Sequence, residues 1–328
     1  MSSLPLTFFL PDPQQVAQFQ DADPDRDWAL FNTGVHVWVG QTCLRLKRAG
    51  HPVQLAATAP RAGIVVAHAD HVPLLLRQRR WLSPLTIVAA RADRPRQPYA
   101  DVEVVQNAAS ATASNAFHVQ HWPQPGLVAR DPGRGDAVRT VAFKGTVGEM
   151  TPEFATPEWA DGLRAQGIEW QCDAVAWGGN GAAYQTSWND YGAIDVIVAM
   201  RRDLSHLHEK KPASKLINAW LAGVPAILGP EQAYRELRRS ELDYIEVASA
   251  GEAAAALARL ASNPALYRAM AENGRRRGEE VRADACTAAW AHLLFETIPA
   301  RYPPSLARLG WRSLRCRASA WRSQAAAR

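Results

Sequence analysis

Residues 210–229, KKPASKLINAWLAGVPAILG, decide the fold. Just before them, residues 194–200 (IDVIVAM) form an apolar, β-branched run of strand length. Pro212 and Ser214 suit a helix start, as first-turn proline and cap. Leu216, Ile217, Trp220 and Leu221 then fall at i, i+1, i+4 and i+5, giving one apolar face. Gly223 suits the helix stop, and residues 224–228 read as the next strand. Strand, loop, helix, strand is the unit of a parallel sheet, whose ligand edge lies at the strand C-termini. The loop at that edge carries Lys210, Lys211, Ser214 and Lys215. Free N–H groups at a helix N-terminus beside lysines suit an anion, though the same residues would also make an ordinary solvated helix start.

The same alternation runs through the chain. Its 328 residues allow two domains of roughly 150 residues each. In the first half, residues 4–10, 51–55, 63–67, 85–90, 102–106 and 117–119 read as strands, and residues 41–49 as a helix. The polar residues 11–28 read as a long loop. Residues 124–136, QPGLVARDPGRGD, hold three glycines and two prolines and read as the connection between domains. In the second half, residues 140–143, 168–172, 194–200, 224–228 and 244–247 read as strands.

Composition narrows the function. The net charge of +5 is local: residues 301–328 hold seven arginines and no acid, leaving 30 basic against 32 acidic residues elsewhere. A general nucleic-acid binder carries its positive charge on a folded face, so that class is disfavoured. Cys43, Cys172, Cys286 and Cys316 are scattered with no CxxC pair, which suggests neither a zinc site nor a disulfide scaffold. No cleavable signal or apolar run of spanning length is visible, and the expectation is a cytoplasmic protein. Neither a P-loop nor a dinucleotide glycine fingerprint occurs, which removes support for kinase-like and NAD-linked functions.

Two clusters carry chemistry in the first half. Strand 63–67 ends in His68, Ala69, Asp70 and His71. Two histidines and a carboxylate at a strand's C-terminal end suit acid–base work, with Asp70 the first choice of base, His71 the second and His68 beside them. The competing role for Asp70 is a helix cap. No third protein ligand for a metal is evident there, and none is expected. Strand 85–90 ends near Arg91, Asp93 and Arg94, which suit either acceptor binding or a local ion-pair cluster. Gly34, before the helix at 41–49, lets the backbone approach a ligand.

The segment Pro212, Ser214, Lys215, Gly223, Pro225 resembles the P-S-K-x-x-E-x-x-A-x-G-x-P-V-I stretch of GT-B glycosyltransferases. A second marker is the helix after Asn263–Pro264, where Met270, Asn273 and Gly274 match the close of that family's C-terminal domain. The resemblance implies an α/β GT-B fold: two Rossmann-like domains facing a cleft, with a C-terminal helical tail. It implies an acceptor domain at 1–123, a linker at 124–137, a donor domain at 138–290, and a helical crossover and basic amphipathic tail at 291–328. It implies a donor site of Gly34, Gly145, Thr146, Arg201, Lys211, Ser214, Lys215 and Asn218. Asn218 stands where the family often has an acidic residue on the donor ribose.

The expected activity is sugar transfer from a nucleotide-diphosphate sugar to a glycan, lipid or small-molecule hydroxyl, with no permanently bound cofactor. Two alternatives are a nucleotide-sugar 2-epimerase of the same architecture and a non-catalytic nucleotide-sugar-binding protein. In the tail, Trp311, Leu314, Ala318 and Trp321 share one helical face beside Arg308, Arg312, Arg315 and Arg322. That pattern suits peripheral contact with an anionic membrane surface, or packing back onto the first domain.

Overall fold

The computed structural model describes residues 5–79, 83–175, 187–204 and 208–302; the proposed membrane-contacting segment 311–328 lies outside them. The chain forms two compact units. One holds the described residues up to Gln120 and from Cys286 to Tyr302; the other is formed by the described residues between His121 and Ala285.

The first unit is built on strands β1 (Leu6–Phe9), β2 (Val53–Ala56), β3 (Gly63–His68), β4 (Leu85–Ala90), β5 (Val102–Val105) and β6 (Ala116–His118). They pair in the order β2-β1-β3-β4-β5-β6, all parallel. Strands β1, β3, β4 and β5 are buried along their whole length, as runs that are apolar but for Thr7, His68, Thr86 and Glu103 predict for a sheet covered on both faces. The stretch expected to be a loop contains helix α1 (Pro13–Phe19), because Asp12 caps the N–H groups of Gln14 and Gln15 and Pro13 opens the turn. Helix α2 (Thr42–Arg48) is preceded by a π-helical turn, His36–Gln41. Helix α3 (Val72–Gln78) follows β3. Later in the chain Trp290 packs on Trp38 at 6.1 Å, Arg301 lies over the Phe117 ring, and the Tyr302 hydroxyl donates to the Ser114 carbonyl. Residues as far as Tyr302 thus pack on the first unit.

The second unit is built on β7 (Thr140–Thr146), β8 (Glu169–Val175), β9 (Val196–Ala199), β10 (Ala226–Leu228) and β11 (Ile245–Glu246), ordered β11-β10-β9-β7-β8 and all parallel. Helices α4 (Pro157–Arg164), α5 (Ser214–Ala222), α6 (Gln232–Leu237), α7 (Ala250–Ser262) and α8 (Pro264–Gly278) complete it, and α9 (Ala283–Ala291) leads the chain out of it. Helix α5 ends at Gly223, whose φ of +70° is a left-handed stop. The second sequence marker has a packing cause. A Cβ on Gly274 would stand 3.2 Å from Trp220, and one on Gly278 3.2 Å from Leu221, so α8 lies close on α5. Asn273 and Arg277 both donate to the buried Asp243 carboxylate, and the Trp220 indole N–H donates to the Asp243 carbonyl.

The stretch read as an interdomain connection packs into this second unit. Asp195, fully buried just before β9, accepts from Arg130 Nε (3.0 Å) and Nη2 (2.7 Å) and from Arg134 Nε (2.9 Å) and Nη2 (2.8 Å). The backbone N–H groups of Arg139 and Thr140 complete its shell. Removing one member of such a pair strands buried charge, so Asp195→Ala is expected to cost about 3–5 kcal/mol. Urea unfolding checks this; an unchanged midpoint would show that the arginines do not depend on it.

Candidate functional site

In the second unit the sheet order reverses between β7 and β9, and ligands of open parallel sheets bind outside the strand ends at such a point. The residues there come from three places: the end of β7 (Lys144, Gly145, Thr146), the residue after Met200 (Arg201), and the start of α5. The sequence suggested that Ser214 caps α5. Instead Ala213 is the N-cap and no side chain caps the helix. Ile217 is the first residue whose N–H reaches Ala213; the N–H groups of Ser214, Lys215 and Leu216 have no partner among the described residues. These are the orphan donors that a helix start leaves.

Lys215 stands beside them. Its Nζ lies 5.6 Å from the Phe143 ring centroid and 3.3 Å from where a Cβ on Gly145 would sit. A Cβ there would also stand 3.1 Å from the Phe143 ring, so the glycine gives room to the ring and the ammonium together. Lys215 makes no hydrogen bond or ion pair among the described residues, and burial lowers its pKa. A partly buried ammonium with only an aromatic face beside it and a pKa lowered by desolvation suits an incoming anion.

The other expected donor residues are already engaged. Arg201 Nε donates to Glu231 at 2.7 Å and its Nη1 meets Glu149 at 2.6 Å. Lys211 Nζ meets the other Glu149 oxygen at 2.8 Å. Burial pushes the Glu149 carboxyl up, but Arg201 and Lys211 outweigh it and hold the group down to about 2. Asn218 is buried within α5; its Oδ1 accepts the Gln124 N–H at 2.9 Å and its side chain lies against Tyr191, so it serves the packing of residue 124. Lys144 Nζ donates to the Ser187 carbonyl at 2.7 Å and sits 3.5 Å from Asp173. Thr146 is buried at the strand end.

In the first unit the order reverses between β1 and β3. His68 ends β3 and is buried; the Asp70 N–H donates to its Nδ1 at 3.3 Å, and its Nε2 lies 3.4 Å from a Cβ built on Gly34. The His68 and His71 rings meet edge to face at 6.3 Å. The structure thus gathers Gly34, His68 and His71. Asp70 is different from what a desolvated base requires. It is exposed and held by both oxygens on Arg94 (2.8 and 3.0 Å), and that guanidinium lowers its pKa. Arg94 also meets Asp93 at 3.2 Å, and Arg91 Nε reaches the Arg94 carbonyl. Asp93, Arg94 and Asp70 form a local ion-pair cluster, while the carboxylate nearest Arg91 is Glu103 at 3.9 Å. His71 is half-buried, its Nδ1 is buried without a partner, and burial lowers its pKa below 6.5. Among the described residues no group of three or more His, Cys, Asp or Glu is placed to hold a metal. No helix among them is long and apolar enough to cross a membrane.

Glu149 and Glu231 escaped sequence reading. Both follow strands of the second sheet, but their pairing with Arg201 spans 52 and 30 positions and has no local signature.

No protein-family model matches the sequence, and no curated protein matches it. The structure is similar to solved chains. Sucrose-phosphate synthase from Thermosynechococcus elongatus aligns with a TM-score of 0.56 at 14% identity, over 90% of this chain and 100% of that one. Anabaena HepE, solved with UDP and glucose, gives 0.53 at 12% identity, over 89% and 100%. TarM gives 0.53 at 8% identity over 78% of this chain, which spans only 58% of TarM's length. The chain has a GT-B-like fold, two Rossmann-like units each built on a parallel sheet.

Burial holds the His68 pKa down to about 4. Above 6.5 both folded and unfolded rings are neutral. As pH falls from 6.5 to about 4 the unfolded ring takes a proton that the folded ring refuses, so stability falls through that window, by about 3 kcal/mol in full. His121, also lowered to about 4 by burial, acts in the same direction. The expected result is a shallower decline for His68→Gln in urea unfolding across pH 4 to 6.5; a slope equal to wild type would contradict the buried neutral ring.

Proposed function

We propose that the protein is a glycosyltransferase that moves a sugar from a nucleotide-diphosphate sugar to an acceptor hydroxyl. The observation that carries this reading is the start of α5: three open N–H groups beside the unpaired Lys215 ammonium, over Gly145. Breaking a glycosyl–phosphate bond leaves a diphosphate whose negative charge grows in the transition state. Pre-placed donors and cations stabilise that charge without reorganising. The α5 N-terminus and Lys215 would hold the phosphates, with Arg201 and Lys211 adjoining. HepE, which shares the fold, is described in complex with UDP-glucose, which supports the same ligand class here.

An acceptor hydroxyl attacks well only as its proton leaves. We assign that proton to His71 rather than to Asp70. The Asp70 carboxylate is already committed to Arg94, whereas His71 has a lowered pKa and its Nε2, unlike the buried Nδ1, is not sealed in and makes no hydrogen bond among the described residues. A neutral imidazole is the form that accepts a proton. Activity should therefore persist down to pH values below the ordinary histidine range.

Binding is tested by thermal shift with UDP-, GDP-, TDP- and CMP-sugars, since a ligand that binds the folded state raises apparent stability. With the nucleotide identified, calorimetry on Lys215→Ala should show affinity weakened by about 1.5–3 kcal/mol, the value of a charge-assisted contact. Unaltered affinity would remove Lys215 from the site.

For the base, His71→Gln should lower kcat by roughly 10²–10⁴-fold with little change in donor affinity. The wild-type acid limb of kcat/KM should fall below pH 6.5. Near-normal turnover in His71→Gln would move the base elsewhere.

A further inference from the structure

The cations expected to meet a diphosphate are bridged by an acid of the chain itself, and the bridge differs from an ordinary structural pair. Arg201 has two carboxylate partners. Glu231 is buried, with its side chain only 3% exposed, and forms the inner partner. Glu149 sits in the short turn Val147–Glu149 directly after β7, 36% exposed, and uses one oxygen for Arg201 and the other for Lys211. It thus places one negative charge between two cations, at the edge where the sheet order reverses, as a phosphate oxygen pair would.

We propose that Glu149 is an internal stand-in for the donor's diphosphate, an autoinhibitory contact that a nucleoside diphosphate must displace. This rests on the donor-site reading above. The physical reason is charge. A polyanion brought to Lys211 and Arg201 meets a carboxylate already bound to both, and like charges at such distances repel. Ligand binding therefore requires Glu149 to turn away from Lys211 and the outer side of Arg201. Its exposure permits this, while Glu231 keeps Arg201 neutralised and in place. The stand-in also keeps Arg201 and Lys211 from collecting monovalent anions, so it acts as a selectivity device that only a ligand with several further contacts overcomes.

The role opposes that of a positioning residue. If Glu149 merely held Lys211 and Arg201 ready, its removal would weaken binding. If it competes, its removal strengthens binding. The experiment is calorimetric titration of wild type, Glu149→Gln and Glu149→Ala with UDP, GDP and TDP. Thermal melting of each ligand-free protein shows that it is folded. Arg201 retains Glu231 in both variants, so no buried charge is stranded.

The expected result is Kd lower by about tenfold or more in both variants for whichever nucleotide binds wild type, with the gap narrowing in high salt. Binding seen only in the variants is the stronger form of the same result. Unchanged or weaker binding in both, with wild type binding, overturns the stand-in and leaves the donor site intact. Absence of binding in all three proteins overturns the donor-site reading itself, and the stand-in with it.

Discussion

The three backbone donors that open α5 have nowhere to go within the described chain, and the site is arranged around that fact. An α-helix cannot satisfy its first N–H groups internally. Helices α1, α4, α7 and α8 recruit a side chain, from Asp12, Thr156, Ser249 and Asn263. Helix α5 does not. Its start is fixed by everything behind it. Gly223 stops the helix in a left-handed turn, the Gly274 and Gly278 faces of α8 seat against Trp220 and Leu221, and the Asp243 cluster locks that contact. A rigidly held, uncapped helix start beside a lysine has the physical character that suits an anion.

Topology puts that start where it can be used. In both units all strands run the same way, so all C-terminal ends lie on one edge of each sheet. In both, the connections leave in opposite directions from a central strand, β1 in the first and β7 in the second. The candidate site residues cluster at these reversals: Gly34 with His68 and His71 in one, Gly145 with Lys215 and Arg201 in the other. Asp195 secures the second by pinning Arg130 and Arg134 at the opposite end of the strands, just before β9.

Much of the fold was legible because buried parallel strands write themselves as short apolar, β-branched runs, and all eleven lie within or beside the runs read from sequence. Helix α5 and its stop were legible from apolar spacing and Gly223. The start of α5 was not: serine at a helix start is a good cap in general, but here the helix begins one residue too early for it. Helix α1 was hidden in a polar stretch because only Phe19 is buried. The π-helical turn at His36–Gln41 has no local pattern. Site residues were legible by place but not by pairing. The strand-end rule brought forward Asp70, His71, Arg94, Arg201 and Lys211. Which of them are free depends on partners far along the chain, as Arg94 is for Asp70 and Glu149 for Lys211. For Asp70 the adjacent guanidinium outweighs desolvation and lowers the pKa, the opposite of what a general base near neutrality needs.

The central claim is that the open start of α5 receives the phosphates of a nucleotide sugar. Amide hydrogen exchange resolved to single residues tests it most directly, with and without saturating nucleoside diphosphate. In the free protein the Ser214, Lys215 and Leu216 amides should exchange fast for residues in a helix, because they lack acceptors. On binding, those three should slow together, while amides in the middle of α5 hold their rate. Unaltered exchange at all three in the presence of bound nucleotide would contradict the claim and place the phosphates elsewhere.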